Sequence, residues 1–423
     1  MHSGVHDELS KLVGNRSLRL RLSALGWWDQ GIMRKWKKLA GLGGPAELPS
    51  VDVMQFEALA REKLSKMAYD YIRTSGADEI TARENRLAFE RLRLKPRVLI
   101  DVSEIDTHLS LFGTELAFPI LLAPVACQRL YHPEGELATA RGANAARAAM
   151  IVSSLSNTPI EDIARNTKSP VWFQLYMQRD RDFTRSMVER ALAAGSRAIC
   201  LTVDAPVLGC RYGQTSFYLP KGVDYAHLRG LKSNEAVAGH QTRRSKIYDK
   251  LFEPSLNWSD LDWLRSAASV PLLLKGLLNP EDAARAVEAG VDGLIVSNHG
   301  GRNLDTAPAA IDALPGVVEA VAGRIPVLLD SGIRRGTDVL AALALGAKAV
   351  LIGRPYAYGL AAGGAAGVER VIQILREEFE RAMALTGRRS LEEIDSSVIW
   401  MRGVTPSLDP RERTFSFGRS PIL

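Results

Sequence analysis

Short runs of Val, Ile and Leu recur along the chain from about residue 119. They are separated by stretches in which apolar residues fall every three or four positions. The runs span 119–125, 150–155, 171–177, 198–204, 271–277, 293–299, 326–332 and 349–355. Each is apolar on both faces, the pattern of a parallel strand covered on both sides. The intervening stretches read as amphipathic helices, as at 182–194, 280–289 and 337–345. Gly195, Gly290 and Gly346 stand where those helices should stop. Eight strand–helix units predict an α/β fold, a (β/α)8 TIM barrel. A doubly wound open sheet uses the same units, and the count of eight favours closure.

The flanks read differently. Residues 51–100 show helical spacing at 56–68 and 83–92, broken by Ser75-Gly76-Ala77-Asp78-Glu79. The expected organisation is a basic N-terminal extension at 1–48, a helical segment at 49–118 packed on the barrel, the barrel at 119–385, and a C-terminal tail at 386–423. One connection is far longer than barrel loops require. Residues 208–257, after strand four, are polar and Gly-rich and carry Tyr212, Tyr218, Tyr225 and Tyr248. Two readings stand: a lid over the active site, or an excursion without a fixed fold.

Composition narrows the class. The 423 residues are 46% hydrophobic and 24% charged, as in ordinary globular proteins. Net charge is +6, of which residues 1–48 supply +4 through eight Lys/Arg against four Asp/Glu. That is too little basicity for a nucleic-acid binder. Within it, residues 11–38 interleave Leu18, Leu20, Leu22, Leu25, Trp27, Trp28 and Trp36 with cations. Such a segment either lies peripherally on an anionic membrane or packs on its own domain or a neighbouring subunit. Arg and Leu alternate over 18–22, which gives a poor helical moment and favours packing. Cys127, Cys200 and Cys210 are few, odd in number and not paired as CxxC, so reduced thiols are expected. There is no apolar run of membrane-spanning length and no secretory start, so a cytoplasmic protein is the expectation.

Candidate chemistry collects at the strand ends. Strand six runs into Ser297-Asn298-His299-Gly300-Gly301-Arg302, which presents a base and a fixed cation three residues apart. The two glycines allow a sharp turn and close approach to a ligand. A base beside a cation suits oxidation of a 2-hydroxy carboxylate, since the cation holds the carboxylate while the base takes a proton. Other strand ends offer Ala126, Ser153 and Ser154, Gln174 and Tyr176, Thr202 and Asp204, Lys275, Asp330 with Arg334, and Gly353 with Arg354. Polar groups on nearly every strand, all near the C-terminal end, mark the catalytic face of a barrel. Gly332, Arg334, Gly353 and Arg354 on the last two strands have the character of a phosphate site. No GxGxxG follows a first strand, which argues against a nicotinamide site. A barrel with a phosphate site and a strand lysine suits flavin mononucleotide. No metal site is expected.

Ser297-Asn-His-Gly-Gly-Arg302, together with Asp330-Ser-Gly-Ile-Arg-Arg-Gly-Thr-Asp338, resembles the FMN-dependent 2-hydroxy acid oxidase and dehydrogenase family, which includes glycolate and lactate oxidases. Supporting stretches are 123–126, 132–136, 173–176, 201–204 and 274–276, and the likeness runs from about 51 to 398. The resemblance implies His299 as catalytic base with Asp204 bonded to its other ring nitrogen. It implies Arg211, Arg302 and Tyr71 as the clamp on the substrate carboxylate, and Tyr176 on the substrate hydroxyl. Lys275 would sit by flavin N1 and O2, where negative charge develops on reduction. Ala126 would lie near N5. Gln174, Thr202, Ser153 or Ser154, and Ser297 would bond the isoalloxazine edge. Asp330 would bond the ribityl chain, and Gly332, Arg334, Gly353 and Arg354 the phosphate. Leu155 stands where glycolate oxidase has a tryptophan in the side-chain pocket, so lactate or a larger acid is expected as substrate. Cys210 stands where glycolate oxidase has a second arginine. Ala126 leans towards an oxidase that gives hydrogen peroxide. Two alternatives remain: a membrane-associated dehydrogenase passing electrons to a quinone or cytochrome, and a non-redox FMN barrel such as an isomerase. The family commonly forms homotetramers.

Overall fold

A computed structural model describes residues 48, 52–214, 216–231 and 252–400. The basic extension and most of the 386–423 tail lie outside these residues.

Eight parallel strands close into a barrel in chain order, the last pairing with the first. They are β3 (Ile120–Leu122), β4 (Met150–Ser153), β5 (Val171–Leu175), β6 (Ile199–Thr202), β7 (Leu272–Leu277), β8 (Gly293–Val296), β9 (Val327–Asp330) and β10 (Ala349–Ile352). This is the TIM barrel that the apolar runs predicted. Helices take the connections for local reasons. Asn279 accepts the Glu281 amide at 2.9 Å, Pro280 opens the helix Pro280–Glu288, and Gly290 follows its end at φ +72°. Asp180 caps Arg181–Ala193 in the same way, with Gly195 at φ +90° beyond. Among the described residues no helix is long and apolar enough to cross a membrane.

The strands are shorter than the apolar runs at their C-terminal ends. Residues 297–299, 331–332 and 353–355 leave the sheet, with His299, Ser331 and Gly332 at φ +59°, +89° and +93°. These backbone turns carry the polar groups of the catalytic face. The expectation of a helical segment over 49–118 needs correction. Helices occupy Gln55–Lys63, Lys66–Arg73 and Ile80–Arg91, and a hairpin follows, β1 (Leu109–Leu111) and β2 (Thr114–Leu116). Phe112 and Gly113 make its turn, both at positive φ. The hairpin plugs the N-terminal mouth of the barrel, where Phe112 meets Trp172 edge-on at 5.6 Å.

The barrel interior changes character with depth, and the strand repeat of two explains where. Ile151, Trp172, Cys200, Leu273, Ile295, Leu328 and Leu351 pack inward as one buried layer. Two residues further along each strand come Ser153, Gln174, Thr202, Lys275, Ser297, Asp330 and Gly353. The pairings Ser153↔Gln174 and Thr202↔Lys275 hold neighbouring members of this polar row in register. An apolar floor therefore carries a polar layer above it.

The first part of the long connection after β6 is tied to the barrel top. Ala226 donates to Ser156 O at 2.9 Å, and Asn157 Nδ2 donates to Asp224 O at 2.8 Å. His227 is buried, accepts the Ile160 amide on Nε2 at 2.9 Å and meets Phe173 edge-on at 5.2 Å. Residues 252–258 rejoin the barrel through Glu253, which pairs with Arg179 at 3.1 Å. Tyr248 lies outside the described residues.

Candidate active site

One cavity at the C-terminal face is lined by residues of nearly every strand end. Its lining includes Tyr71, Ala126, Ser153, Leu155, Gln174, Tyr176, Thr202, Arg211, Lys275, His299, Arg302, Asp330, Gly332, Arg334, Gly353 and Arg354. Three expected site residues stand behind the wall. Asp204 reaches the cavity through His299. Ser154 turns its hydroxyl to the Tyr176 amide at 3.2 Å. Ser297 accepts from Lys275 at 2.9 Å and donates to Asp330 at 2.6 Å.

The base is built by a backbone conformation that few residues adopt. His299, Gly300 and Gly301 lie consecutively at φ +59°, +67° and +73°. A Cβ at Gly301 would lie 2.7 Å from the Ala82 amide nitrogen, and one at Gly300 would lie 2.9 Å from Arg354 Nη1. Gly301 therefore requires glycine for space as well as torsion, and Gly300 for torsion. The turn sends the imidazole back towards Asp204, whose Oδ1 lies 3.0 Å from Nδ1. With a carboxylate as acceptor, Nδ1 carries the hydrogen and Nε2 keeps a free lone pair. That nitrogen is 3.5 Å from the Tyr176 hydroxyl. Burial, and then the nearby Asp204 charge, push the Tyr176 phenol well above its usual range, so it is a neutral hydrogen-bonding group.

Two guanidinium groups flank the base. Arg302 Nη1 donates to the carbonyls of Tyr71 at 2.9 Å and Thr74 at 2.8 Å. Arg302 Cζ lies 5.3 Å from the centre of the Tyr71 ring. Arg211 Cζ lies 6.0 Å from that ring on the connection after β6, and its buried Nε has no partner. Burial, and then Arg302, lower the Arg211 pKa to about 10. Neither arginine has a carboxylate within ion-pair distance among the described residues. Two cations with spare donors facing one cavity form a site for a carboxylate. Burial raises the Tyr71 phenol above its usual range and pushes the Cys127 thiol, which donates to Leu155 O, up to about 12. Phe217 stacks on Tyr71 at 4.7 Å.

Deeper in the cavity lie Lys275 and the amide edge. Burial pulls the Lys275 pKa down, but Asp330 at 2.8 Å and the Asp204 charge outweigh it and hold the ammonium above the usual lysine value. Asp330 moves the opposite way: burial pushes it up, and Lys275 with Ser297 brings it below the usual carboxylate range. Gln174 accepts from Ser153 at 3.2 Å and donates to Thr202 at 3.0 Å. At the far end, Arg354 donates to the carbonyls of Ile72, Gly300 and Thr74 and to Ser75 Oγ. Arg334 donates to Ile333 O at 2.8 Å. Burial, and then mutual repulsion with Arg354, lower the Arg334 pKa to about 10. Among the described residues no carboxylate lies at ion-pair distance from this second pair either, which fits a phosphate beside the helix that starts at Gly336.

The sequence profile of the family described as FMN-dependent dehydrogenase matches residues 60–401. The chain belongs to that family. It is 49% identical to an L-lactate oxidase of Nostoc sp. over 356 residues, covering 82% of this chain and 98% of that protein. It is 46% identical to a glycolate oxidase of Spinacia oleracea over 350 residues, covering 82% and 95%. Among solved structures, a mandelate oxidase with (S)-2-phenylpropionate superposes with a TM-score of 0.74 at 39% identity, covering 83% and 98%. The chain is an FMN-dependent oxidoreductase. The residues present fit the cofactor: two cations with no carboxylate at ion-pair distance among the described residues suit its phosphate, and a buried ammonium with an amide–hydroxyl row suits a polar ring edge.

The sequence reading did not single out Phe217 and Phe252, which also line the cavity with Tyr225. The aromatic content of 208–257 was the available signal, but it did not say which rings turn inward. Tyr225 does, whereas Tyr212 and Tyr218 are exposed.

Proposed function

We propose that this chain oxidises an L-2-hydroxy acid to the 2-oxo acid and passes the electrons to dioxygen, giving hydrogen peroxide. The observation that carries this reading is His299 Nε2, 3.5 Å from the Tyr176 hydroxyl, lining one cavity with two arginines that have no carboxylate at ion-pair distance among the described residues. Arg211 and Arg302 bind the substrate carboxylate and fix C2 relative to the base. Tyr176 bonds the substrate hydroxyl. His299 Nε2 accepts one proton, and Asp204 stabilises the imidazolium that forms. Bound FMN supplies the two-electron acceptor. The substrate loses two electrons and two protons overall, and dioxygen gains both as hydrogen peroxide. In this reading Lys275 supplies positive charge to the cofactor ring, Gln174, Thr202 and Ser153 hold its edge, and Gly332, Arg334, Gly353 and Arg354 hold its phosphate.

The substrate we assign is lactate or a larger 2-hydroxy acid. Leu155 lines the cavity near Tyr225, and a leucine leaves more room than an indole. The names of the relatives support the reaction class and span small and aromatic acids. The test is an anaerobic screen of 2-hydroxy acids for bleaching of the yellow protein, followed by air. Bleaching with peroxide formed on reoxidation is expected. Bleaching without peroxide, but with rapid dye or quinone reduction, would identify a dehydrogenase. Clear preference for glycolate would overturn the substrate assignment.

A further inference from the structure

Asp204 and His299 follow barrel strands that are not neighbours: β6 and β8 flank β7. The carboxylate must therefore cross the C-terminal end of β7 to reach the imidazole. β7 is irregular at that point. Its register with β8 shifts between Lys275 and Leu277, so Gly276 is the extra residue of a bulge. Gly276 has φ +113°, and a Cβ built on it would lie 2.5 Å from both Cβ and Cγ of Asp204 and 3.0 Å from its amide nitrogen. No real Cβ sits that close, and the atoms it would strike are the stem and carboxyl carbon of Asp204. The same bulge leaves Lys275 directed at Asp330 and Ser297.

We infer that Gly276 is a positioning residue: its bulge opens the passage over β7 through which Asp204 orients His299. The inference rests on the proposed role of His299 as base. It adds that the passage, and not only the two side chains, sets the tautomer. Any side chain at 276 displaces the carboxylate from Nδ1, and the imidazole is then free to turn or to exchange its ring hydrogen. A glycine in a strand often marks a close approach of another backbone or ligand; here it marks the approach of a side chain from the neighbouring strand.

The test uses the full chain loaded with FMN and the 2-hydroxy acid that the unsubstituted protein oxidises fastest. Gly276→Ala is expected to lower the anaerobic bleaching rate by on the order of 10²-fold. Flavin uptake should be retained, and the acid limb of the kcat/KM pH profile should move. The downfield proton resonance of an Nδ1–H donated to a carboxylate should be present in the unsubstituted protein and lost in the variant, which reads the pair without turnover. Adding Asp204→Asn to Gly276→Ala should cause no greater loss than Asp204→Asn alone. A rate within about threefold of the unsubstituted protein, a retained resonance, or losses that multiply would each overturn the inference, with the multiplying test read against the general-base range of about 10²–10⁴. If Gly276→Ala does not take up FMN, Asp204→Gly is added to remove the clashing atoms. Recovered uptake supports the passage, and continued failure assigns the defect to backbone torsion and sinks it. Failure of the unsubstituted protein to bleach with any 2-hydroxy acid would instead refute the proposed reaction.

Discussion

Acid should loosen the connection after β6 through one histidine. His227 is buried at 2% exposure, and its Nε2 accepts the Ile160 amide at 2.9 Å, so that nitrogen cannot hold a proton in the folded state. Burial, and then the Arg190 charge, lower its pKa from 6.5 to about 4, against a smaller opposing effect of Glu161. The folded value lies below the unfolded one. The unfolded chain therefore takes the proton first as pH falls, and stability rises with pH across that window. The contribution is complete above about pH 6.5, falls by about 2 kcal/mol at pH 5 and about 3 kcal/mol at pH 4, and is level below. Carboxylates also titrate in this range, so the reading must be a difference. His227→Gln keeps an acceptor for Ile160 and removes the titration. Urea midpoints of the FMN-loaded protein, from pH 8 to pH 4.5, should fall more steeply for the unsubstituted chain than for the variant, by up to one proton. Parallel curves would refute the reasoning. Tyr225 lines the active-site cavity two residues before His227, so KM should rise with the same pH dependence.

Three further outcomes are expected. Lys275→Met leaves Asp330 buried without its cation, which should destabilise the protein by about 3–5 kcal/mol and weaken FMN retention, read by thermal melting and flavin release. Arg211→Lys keeps the charge but loses the planar fork, so KM should rise about 10- to 100-fold with FMN binding unchanged. An unchanged KM would remove Arg211 from the clamp. Leu155→Trp should fill the side-chain pocket and shift the ratio of kcat/KM values towards glycolate, and a ratio that stays put would place the specificity wall elsewhere.

The fold was legible where burial is two-sided. Val, Ile and Leu on both faces identified each barrel strand, and glycines past the helix ends marked the turns. The hairpin 109–116 escaped because strands of three residues give no periodicity to count. The strand ends were drawn too long because residues 297–299, 331–332 and 353–355 follow the apolar runs without a break, while the torsions of His299, Ser331 and Gly332 show where the sheet stops. The site was legible as chemistry and less so as geometry. His299 and Arg302 announce themselves by proximity. Asp204 stands 95 residues from His299, and only the family resemblance joined them. Ser154 and Ser297 have the right type and place in the sequence, but they are turned from the cavity by the Tyr176 amide and by the Lys275–Asp330 pair.

The helix Lys66–Arg73 lies before the barrel in sequence, yet carbonyls at and just past its end are shared by Arg302 and Arg354. A helix C-terminus is a pole of negative charge, so it steadies both cations. In the proposed reading one arginine serves the substrate carboxylate and the other the cofactor phosphate, and both line the same cavity. A barrel cut out at residue 119 would keep every barrel strand and lose the anchor of both arginines. In chimaeras between relatives, the stretch from about 52 to 118 therefore has to travel with the barrel. Exchanging the barrel alone should yield folded proteins with mismatched anion sites.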